Sequence, residues 1–270
     1  MAQENRPVTT TFLQRMKQRG TKIVALTAYD ATFARLEDEA GIDVMLVGDS
    51  LGMVVQGHAD TLPVTIEDIV YHTRACRRGI KRALLVADMP FLSYQVTPEE
   101  ALRNAGRCMK EGAADTVKLE GGVSVAATIR RLVDAGIPVM AHIGMQPQMV
   151  NVYGGFKLRG RKKNESDQIK RDADAIQEAG AYAVVLEKVS RGLAADITKQ
   201  LDIPTIGIAS GPDCDGQILV NYDMLGLSDQ YHFKFVREYA KLGDEIREVV
   251  KKYGDEIRSG SFPSDDESFD

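Results

Sequence analysis

Polar and titratable side chains recur in this chain directly after short apolar runs. Asp49 and Ser50 follow an apolar run, and Lys118 lies just before Glu120 at the end of another. The other runs end at Tyr29 and Asp30, at Asp88, at His142 and at Glu187. Taken singly, each of these residues is a common helix cap or ion-pair partner. Because the carboxyl ends of parallel strands meet at one edge, six such ends together favour one shared site.

Three of these side chains have the chemistry of a magnesium site. Asp49, Asp88 and Glu120 supply hard oxygen donors, and none has a cysteine nearby in the sequence. Such a set suits Mg²⁺ that keeps several of its waters. Coordination positions that the protein leaves open could then hold a chelating substrate.

The remaining side chains supply charge and proton transfer. Lys118 could neutralise a substrate carboxylate or a developing oxyanion, although it could also simply pair with Glu120. Glu187 follows Val184–Leu186, and this semi-apolar setting suits a base that takes a proton from carbon, whereas a lone Glu is often a salt-bridge residue. His142 could donate a hydrogen bond to substrate or be a satisfied core residue. Together they suggest enolate chemistry, in which a Mg²⁺-chelated 2-oxo acid loses its α-proton and attacks an electrophile.

A repeated phrase predicts the elements that position these residues. A helical segment, a glycine and a short apolar strand follow one another at Glu39–Val47, Lys110–Leu119, Asp134–His142 and Glu178–Leu186. Each glycine fits the left-handed position that ends a helix before a parallel strand. About eight strands alternating with helices predict a single closed (β/α)8 barrel, with an open doubly wound sheet as the alternative.

The element boundaries follow from periodicity and capping signals. We expect one barrel domain over residues 1–258, including an N-terminal capping helix over 9–19, and an acidic, flexible tail over 259–270. Further helices are predicted over 30–40, 65–77, 97–110, 124–135, 166–179, 191–201 and 233–258. A strand is predicted around 217–222, and the long polar segment 151–165 is typical of a lid.

Composition narrows the class of protein. The net charge is −5 and no basic face carries interleaved aromatic residues, which argues against a nucleic-acid partner. The three cysteines are few and far apart, which favours a reducing compartment and inert packing roles. Neither a targeting pattern nor an apolar run of the ~20 residues that a membrane helix requires is present, so we expect a cytoplasmic protein without a membrane partner.

Longer motifs carry a resemblance to a known family. They are Leu46–His58 with Thr61–Thr65 after it, Ala87–Phe91, Val117–Gly122, Ala141–Gln148, Gly154–Arg161 and Asp215–Val220. In this order and without gaps they resemble ketopantoate hydroxymethyltransferases, and the likeness spans roughly residues 9–264. The resemblance implies a barrel of the phosphoenolpyruvate and pyruvate superfamily with a C-terminal helix, assembled as a homodecamer from two pentameric rings.

The resemblance also implies a reaction and residue roles. A one-carbon unit would pass from the co-substrate 5,10-methylenetetrahydrofolate to 3-methyl-2-oxobutanoate, giving 2-dehydropantoate in pantothenate and coenzyme A biosynthesis. Asp49 and Asp88 would bind one Mg²⁺ per subunit directly, and Glu120 would hold metal-bound water. Ser50, Lys118 and His142 would contact the oxo acid along with the metal-binding aspartates. Glu187 would be the catalytic acid or base, with Lys118 beside it.

The chain departs from the family pattern at three places. Ala209 and Ser210 stand where relatives commonly have Gly and Ala, Phe156 replaces a common Tyr, and the acidic tail lacks a common His. The alternative activity is that of a lyase or mutase from the isocitrate lyase and phosphoenolpyruvate mutase group. Those enzymes need a mobile loop bearing cysteine or asparagine, which the segment around Gly154–Arg161 does not resemble. A catalytically silent oxo-acid-binding barrel would not require Glu187.

Overall fold

The computed structural model describes residues 6–228 and 233–269. The chain divides into two compact units, Met1–Val220 and Asn221–Asp270. The first unit contains a closed barrel of eight parallel strands in sequence order. The strands are β1 Ile23–Thr27, β2 Val44–Val47, β3 Leu84–Asp88, β4 Thr116–Glu120, β5 Val139–Gly144, β6 Ala183–Glu187, β7 Thr205–Ile208 and β8 Gly216–Leu219. The predicted barrel is therefore confirmed, and the open sheet is not formed.

Helices follow or precede the strands as the repeat predicts. In the first unit they are α1 Thr10–Gln18, α2 Ala31–Glu39, α3 Leu51–Val54, α4 Ile66–Arg77, α5 Pro98–Lys110, α6 Ala126–Asp134, α7 Val150–Tyr153, α8 Lys163–Glu178 and α9 Arg191–Gln200. Short 3₁₀ turns lie at Val123–Val125 and Pro147–Met149. Helices α7 and α8 occupy part of the predicted lid, so the connecting segment is reduced to residues 154–162.

The second unit contains α10 Asn221–Met224, α11 Leu242–Ser259 and a 3₁₀ turn at Asp265–Glu267. The predicted start of the last helix at residue 233 is wrong, because α11 begins nine residues later. The rings of Phe233 and Phe235 stack with their centroids 5.3 Å apart. Residues two apart do not face each other on a helix, so this contact requires a non-helical backbone.

Alternation along the strands explains where the core and the polar groups lie. Side chains two apart on a strand share a face. On β3 the inward positions are Leu84, Val86 and Asp88, and the first two belong to the main apolar cluster. On β6 the same positions are Ala183, Val185 and Glu187. On these two strands the lower inward positions are therefore apolar, and the uppermost inward position is polar.

Helix α1 closes the N-terminal end of the barrel. Thr9 caps this helix by accepting a hydrogen bond from the Phe12 backbone N–H. Leu13 and Met16 of α1 are buried in the cluster that contains Ile23, the first residue of β1. The predicted N-terminal capping helix is therefore confirmed.

Aspartates that precede strands brace the same end of the barrel. The carboxylates of Asp43, Asp115 and Asp215 each accept a hydrogen bond from the backbone N–H of a neighbouring strand. Each also forms an ion pair, with Arg82, Arg77 and Lys17 respectively, at 2.7 to 3.0 Å. Contacts at this end of a barrel serve stability rather than chemistry.

The structure also shows the state of the cysteines and the character of the helices. Cys76, Cys108 and Cys214 are buried free thiols, as expected of packing residues. Among the described residues, no helix is both long and apolar enough to cross a membrane.

Candidate active site

Strand register brings the predicted side chains together at the C-terminal mouth of the barrel. Asp88 pairs in register with Lys118, and Glu120 pairs with His142. Lys118 Nζ lies 2.8 Å from Asp88 Oδ1 and 3.3 Å from His142 Nδ1. The His142 ring extends this contact chain, since Nδ1 lies 3.4 Å from Glu120 Oε1 and Nε2 lies 3.4 Å from Glu187 Oε2. Lys118 therefore pairs with Asp88 rather than with Glu120.

Each of the three predicted metal-binding carboxylates has one oxygen that the protein already holds. The Asp49 backbone N–H donates to Asp88 Oδ2 at 3.1 Å. The Gln148 side-chain amide donates to Asp49 Oδ2 at 2.9 Å, and the Gln148 backbone N–H donates to Glu120 Oε2 at 3.1 Å. Of the other oxygens, Asp88 Oδ1 faces Lys118 Nζ at 2.8 Å, whereas Glu120 Oε1 is buried without a hydrogen-bond partner among the described residues.

Gln148 is a site residue that the sequence reasoning missed. It lies in the 3₁₀ turn Pro147–Met149 after β5 and is only 4% exposed. Its Oε1 accepts hydrogen bonds from Tyr94 Oη at 2.7 Å and Gln95 Nε2 at 3.0 Å. Only its membership of the motif Ala141–Gln148 could have pointed to it, because a neutral amide gives no charge signal at a strand end.

The buried carboxylates of Asp49, Asp88 and Glu120 lie close together, which favours binding of a cation beside them. Burial raises the pKa of Asp49 well above its ordinary value of 3.8, and the charges of Asp88 and Glu120 raise it further. Burial also raises the pKa of Asp88, although Lys118 opposes this shift. Burial lowers the pKa of Lys118, but Asp88 and the other carboxylates outweigh it and leave that pKa above its ordinary value, so Nζ is charged.

His142 lies between two carboxylates. Burial and the Lys118 charge lower its pKa, but the contacts with the Glu120 and Glu187 carboxylates outweigh both and raise the pKa to about 9. The imidazole is therefore suited to donate from both ring nitrogens. The side chain of Glu187 is 15% exposed, so its carboxylate can meet a substrate that enters the mouth.

The donor set fits Mg²⁺. Glu120 Oε1 is buried and has no hydrogen-bond partner among the described residues, as expected of an atom that lacks its natural ligand. Within residues 6–228 and 233–269, no three His, Cys, Asp or Glu side chains are arranged to hold one metal ion. This is compatible with a Mg²⁺ bound by Asp49 and Asp88 that keeps several waters, one of them held by Glu120.

The two polar residues that follow β1, Tyr29 and Asp30, have different roles. The hydroxyl of Tyr29 lies 2.8 Å from Ser50 Oγ, which places Ser50 beside β1. Asp30 instead accepts hydrogen bonds from the backbone N–H groups of Thr32 and Phe33 and so caps α2. Ser50 therefore lies at the mouth, whereas Asp30 is an ordinary helix cap.

Ala209 and Ser210 lie at the end of β7, and Ser210 supports the loop that follows Glu187. Ala209 has a φ of +55°, a conformation that favours glycine. The Ser210 hydroxyl donates to the Leu186 carbonyl at 2.7 Å and accepts from the Val189 backbone N–H at 3.0 Å. It therefore ties the ends of β6 and β7 together on either side of Glu187.

The segment after α7 is fixed to the same loop. The Arg159 backbone N–H donates to the Lys188 carbonyl at 2.7 Å, and its guanidinium lies 4.1 Å from the centroid of the Tyr153 ring. Its Nε also pairs with Glu165 at 2.7 Å. The Lys188 ammonium lies 5.3 Å from the centroid of the Phe156 ring. The lid segment thus contacts the residue that follows Glu187.

Solved structures with similar folds include a hydrolase and a lyase. A phosphonopyruvate hydrolase in complex with oxalate and Mg²⁺ superposes with a TM-score of 0.64 at 14% identity, covering 96% of this chain and 93% of that one. A 2,3-dimethylmalate lyase, described as a member of the PEP mutase/isocitrate lyase superfamily, gives 0.60 at 18% identity, covering 96% and 91%. At these identities the likeness shows the fold alone.

Sequence relatives are far more similar. A 3-methyl-2-oxobutanoate hydroxymethyltransferase from Syntrophotalea carbinolica is 56% identical over 257 residues, which cover 95% of this chain and 96% of the relative. One from Chlorobium phaeobacteroides is 53% identical over 266 residues, covering 97% and 96%. The family model described as ketopantoate hydroxymethyltransferase matches residues 7–265. The chain therefore belongs to the ketopantoate hydroxymethyltransferase family.

Proposed function

We propose that this hydroxymethyltransferase moves a one-carbon unit from 5,10-methylenetetrahydrofolate to 3-methyl-2-oxobutanoate and forms 2-dehydropantoate. The observation that carries the proposal is the contact chain from Asp88 through Lys118 and His142 to Glu187. It puts a carboxylate base, two cationic donors and metal-type oxygen ligands within reach of one small oxo acid. The name shared by relatives at about half identity supports the same oxo acid.

The roles of the residues follow from their chemistry. Glu187 takes the proton from C3 of the oxo acid, since its carboxylate is the partly exposed base at the mouth. Lys118 stabilises the negative charge of the oxo acid, because its ammonium is buried and stays charged. His142 donates a hydrogen bond to the oxo acid and orients Glu187, and Ser50 Oγ makes a further polar contact with the oxo acid.

Magnesium would be held by Asp49 and Asp88, with Glu120 acting through water. What it would supply is Lewis-acid polarisation of the 2-oxo group, which makes the C3 proton more acidic. The buried negative charge at these residues, with the raised pKa values of Asp49 and Asp88, supports a divalent cation there.

The bond changes balance with the folate as donor. The C3–H bond breaks and a C3–C bond forms to the methylene carbon. Both C–N bonds of the methylene bridge break, water supplies the hydroxyl group, and the C3 proton and the remaining water proton go to the two folate nitrogens, so that tetrahydrofolate leaves. The product would enter pantothenate and coenzyme A synthesis. A homodecameric assembly remains part of the proposal, and the mass of the protein in solution by light scattering tests it.

Product formation tests the reaction directly. Chelator-treated protein is incubated with 3-methyl-2-oxobutanoate and 5,10-methylenetetrahydrofolate, with and without Mg²⁺, and 2-dehydropantoate is measured by mass spectrometry. We expect product only when both substrates and Mg²⁺ are present. Product from the oxo acid without folate, or its cleavage to smaller acids, would contradict the proposal and favour lyase chemistry.

A further inference from the structure

We propose that the Gln148 side chain determines metal selectivity by restricting Asp49 to one-oxygen coordination, so that the site prefers Mg²⁺ to Ca²⁺. The inference rests on the proposed use of a divalent cation at this mouth. Its physical basis is that the Gln148 amide donates to Asp49 Oδ2 at 2.9 Å.

The orientation of the Gln148 amide is defined by its surroundings. Its Oε1 accepts hydrogen bonds from Tyr94 Oη at 2.7 Å and Gln95 Nε2 at 3.0 Å. Its Nε2 must then face acceptors, and it donates to Asp49 Oδ2 and to the Met89 carbonyl at 3.0 Å. The amide cannot flip without losing these four contacts, so it acts as a fixed donor toward Asp49.

The other carboxylate proposed to bind the metal directly is restricted in a similar way. Asp88 Oδ2 accepts a hydrogen bond from the Asp49 backbone N–H at 3.1 Å, and Asp88 Oδ1 lies 2.8 Å from Lys118 Nζ. Asp49 and Asp88 therefore each have an oxygen held by a hydrogen bond within the protein, and for Asp49 the donor is the Gln148 side chain.

This pattern discriminates between cations by coordination number. Mg²⁺ requires six ligands in near-octahedral geometry and accepts one oxygen from each carboxylate together with several waters. Ca²⁺ takes six to eight oxygens and readily uses both oxygens of a carboxylate. A donor that occupies the second oxygen of Asp49 removes this advantage of Ca²⁺. Residues that orient ligands in this way commonly change metal affinity by about 10- to 100-fold.

The test replaces the donor while keeping the length of the side chain. Gln148→Met removes the hydrogen bond to Asp49 Oδ2 and keeps the backbone hydrogen bond to Glu120. Mn²⁺ serves as the probe, because its bound fraction is measured by electron paramagnetic resonance without any turnover. Mg²⁺ and Ca²⁺ are then titrated against bound Mn²⁺, and the ratio of their displacement constants gives the preference.

Gln177→Met is the matched control. Gln177 Oε1 accepts hydrogen bonds from the backbone N–H groups of Asp202 and Ile203, just before β7 and at the opposite end of the barrel. Its loss lowers stability without reaching the mouth. Tyr94→Phe is the second test variant, because it removes one donor that fixes the Gln148 amide, and it serves alone if Gln148→Met does not fold.

We expect the Mg²⁺-to-Ca²⁺ preference to fall about 10-fold in Gln148→Met, to fall less in Tyr94→Phe, and to stay at the wild-type value in Gln177→Met. If Gln148→Met weakened the binding of Mg²⁺ and Ca²⁺ equally, so that the ratio of their displacement constants stayed unchanged, the inference would be overturned and Gln148 would be a structural residue. Absence of Mn²⁺ binding by the wild-type protein would instead overturn the proposed metal site itself.

Discussion

Lys118 Nζ lies 2.8 Å from Asp88 Oδ1 at the mouth of the barrel, and both side chains are almost completely buried. The pair joins adjacent positions of β3 and β4, so strand register alone brings the two charges together. A buried carboxylate whose cation is removed must either stay charged without a partner or bind a proton. This relationship makes the mouth sensitive to pH and to substitution.

Lys118→Met is expected to lower the free energy of unfolding by about 3 kcal/mol at pH 8 in the absence of metal. Burial already raises the pKa of Asp88 above 3.8, and loss of Lys118 raises it further. When the pKa of a carboxyl group is higher in the folded than in the unfolded state, the free energy of unfolding falls as pH rises above the unfolded-state pKa. The stability loss caused by Lys118→Met should therefore be smaller at pH 5 than at pH 8. Urea unfolding at both pH values measures it.

The matched change at an exposed pair is Lys170→Met, since the side chains of Lys170 and Asp196 are 39% and 61% exposed. We expect a loss below about 1 kcal/mol with no such pH dependence. A Lys118→Met deficit that does not grow between pH 5 and pH 8 would contradict the assigned pairing of Lys118 with Asp88.

Metal binding should weaken as pH falls. Burial raises the pKa of Asp49, and Mg²⁺ binds the deprotonated carboxylate, so protons compete with the metal. His142, whose pKa is raised to about 9, stays protonated over this range and contributes little to the change. The competition at Asp49 predicts that the rise in melting temperature caused by Mg²⁺ grows from pH 6 to pH 8. Differential scanning calorimetry against a chelator blank measures this rise, and a rise that is constant or shrinks would refute the competition.

Ser210→Ala should destabilise the protein by about 1 to 3 kcal/mol, because the buried Val189 backbone N–H loses its acceptor. Ala209→Gly should stabilise it by up to about 1 kcal/mol, since Ala209 has a φ of +55°. Chemical unfolding of both variants tests the pair of predictions. A stability loss in Ala209→Gly would show that the backbone there is not strained.

Substitutions at the N-terminal end of the barrel should lower stability and leave the catalytic rate unchanged. Asp215 Oδ2 accepts hydrogen bonds from Lys17 Nζ at 2.8 Å and from the Thr205 backbone N–H at 2.9 Å. Asp215→Ala should therefore cost about 2 kcal/mol of unfolding free energy while kcat stays at the wild-type value. Asp196→Ala is the exposed control, and a large fall in kcat for folded Asp215→Ala protein would contradict the division between the two ends.

Much of this architecture could be predicted from the sequence because periodicity and glycine positions report directly on strands and helix ends. The repeat that predicts the barrel also contains Asp43 and Asp115 just before β2 and β4, yet their bracing role depends on contacts with neighbouring strands. Gln148 could not be identified from spacing, since its role arises from two carboxylates that lie far from it in sequence. The start of α11 was misplaced because amphipathic spacing over 233–241 does not reveal that Phe233 and Phe235 stack.

The central claim is that Glu187 removes the C3 proton of 3-methyl-2-oxobutanoate at the mouth of the barrel. Proton NMR in D₂O, with Mg²⁺ and without folate, follows loss of the C3 proton signal for the wild-type protein and for Glu187→Gln. We predict exchange by the wild-type protein and a rate about 10² to 10⁴ lower in Glu187→Gln, with binding of the oxo acid retained. Equal exchange by both proteins would contradict the assignment of Glu187 as the base.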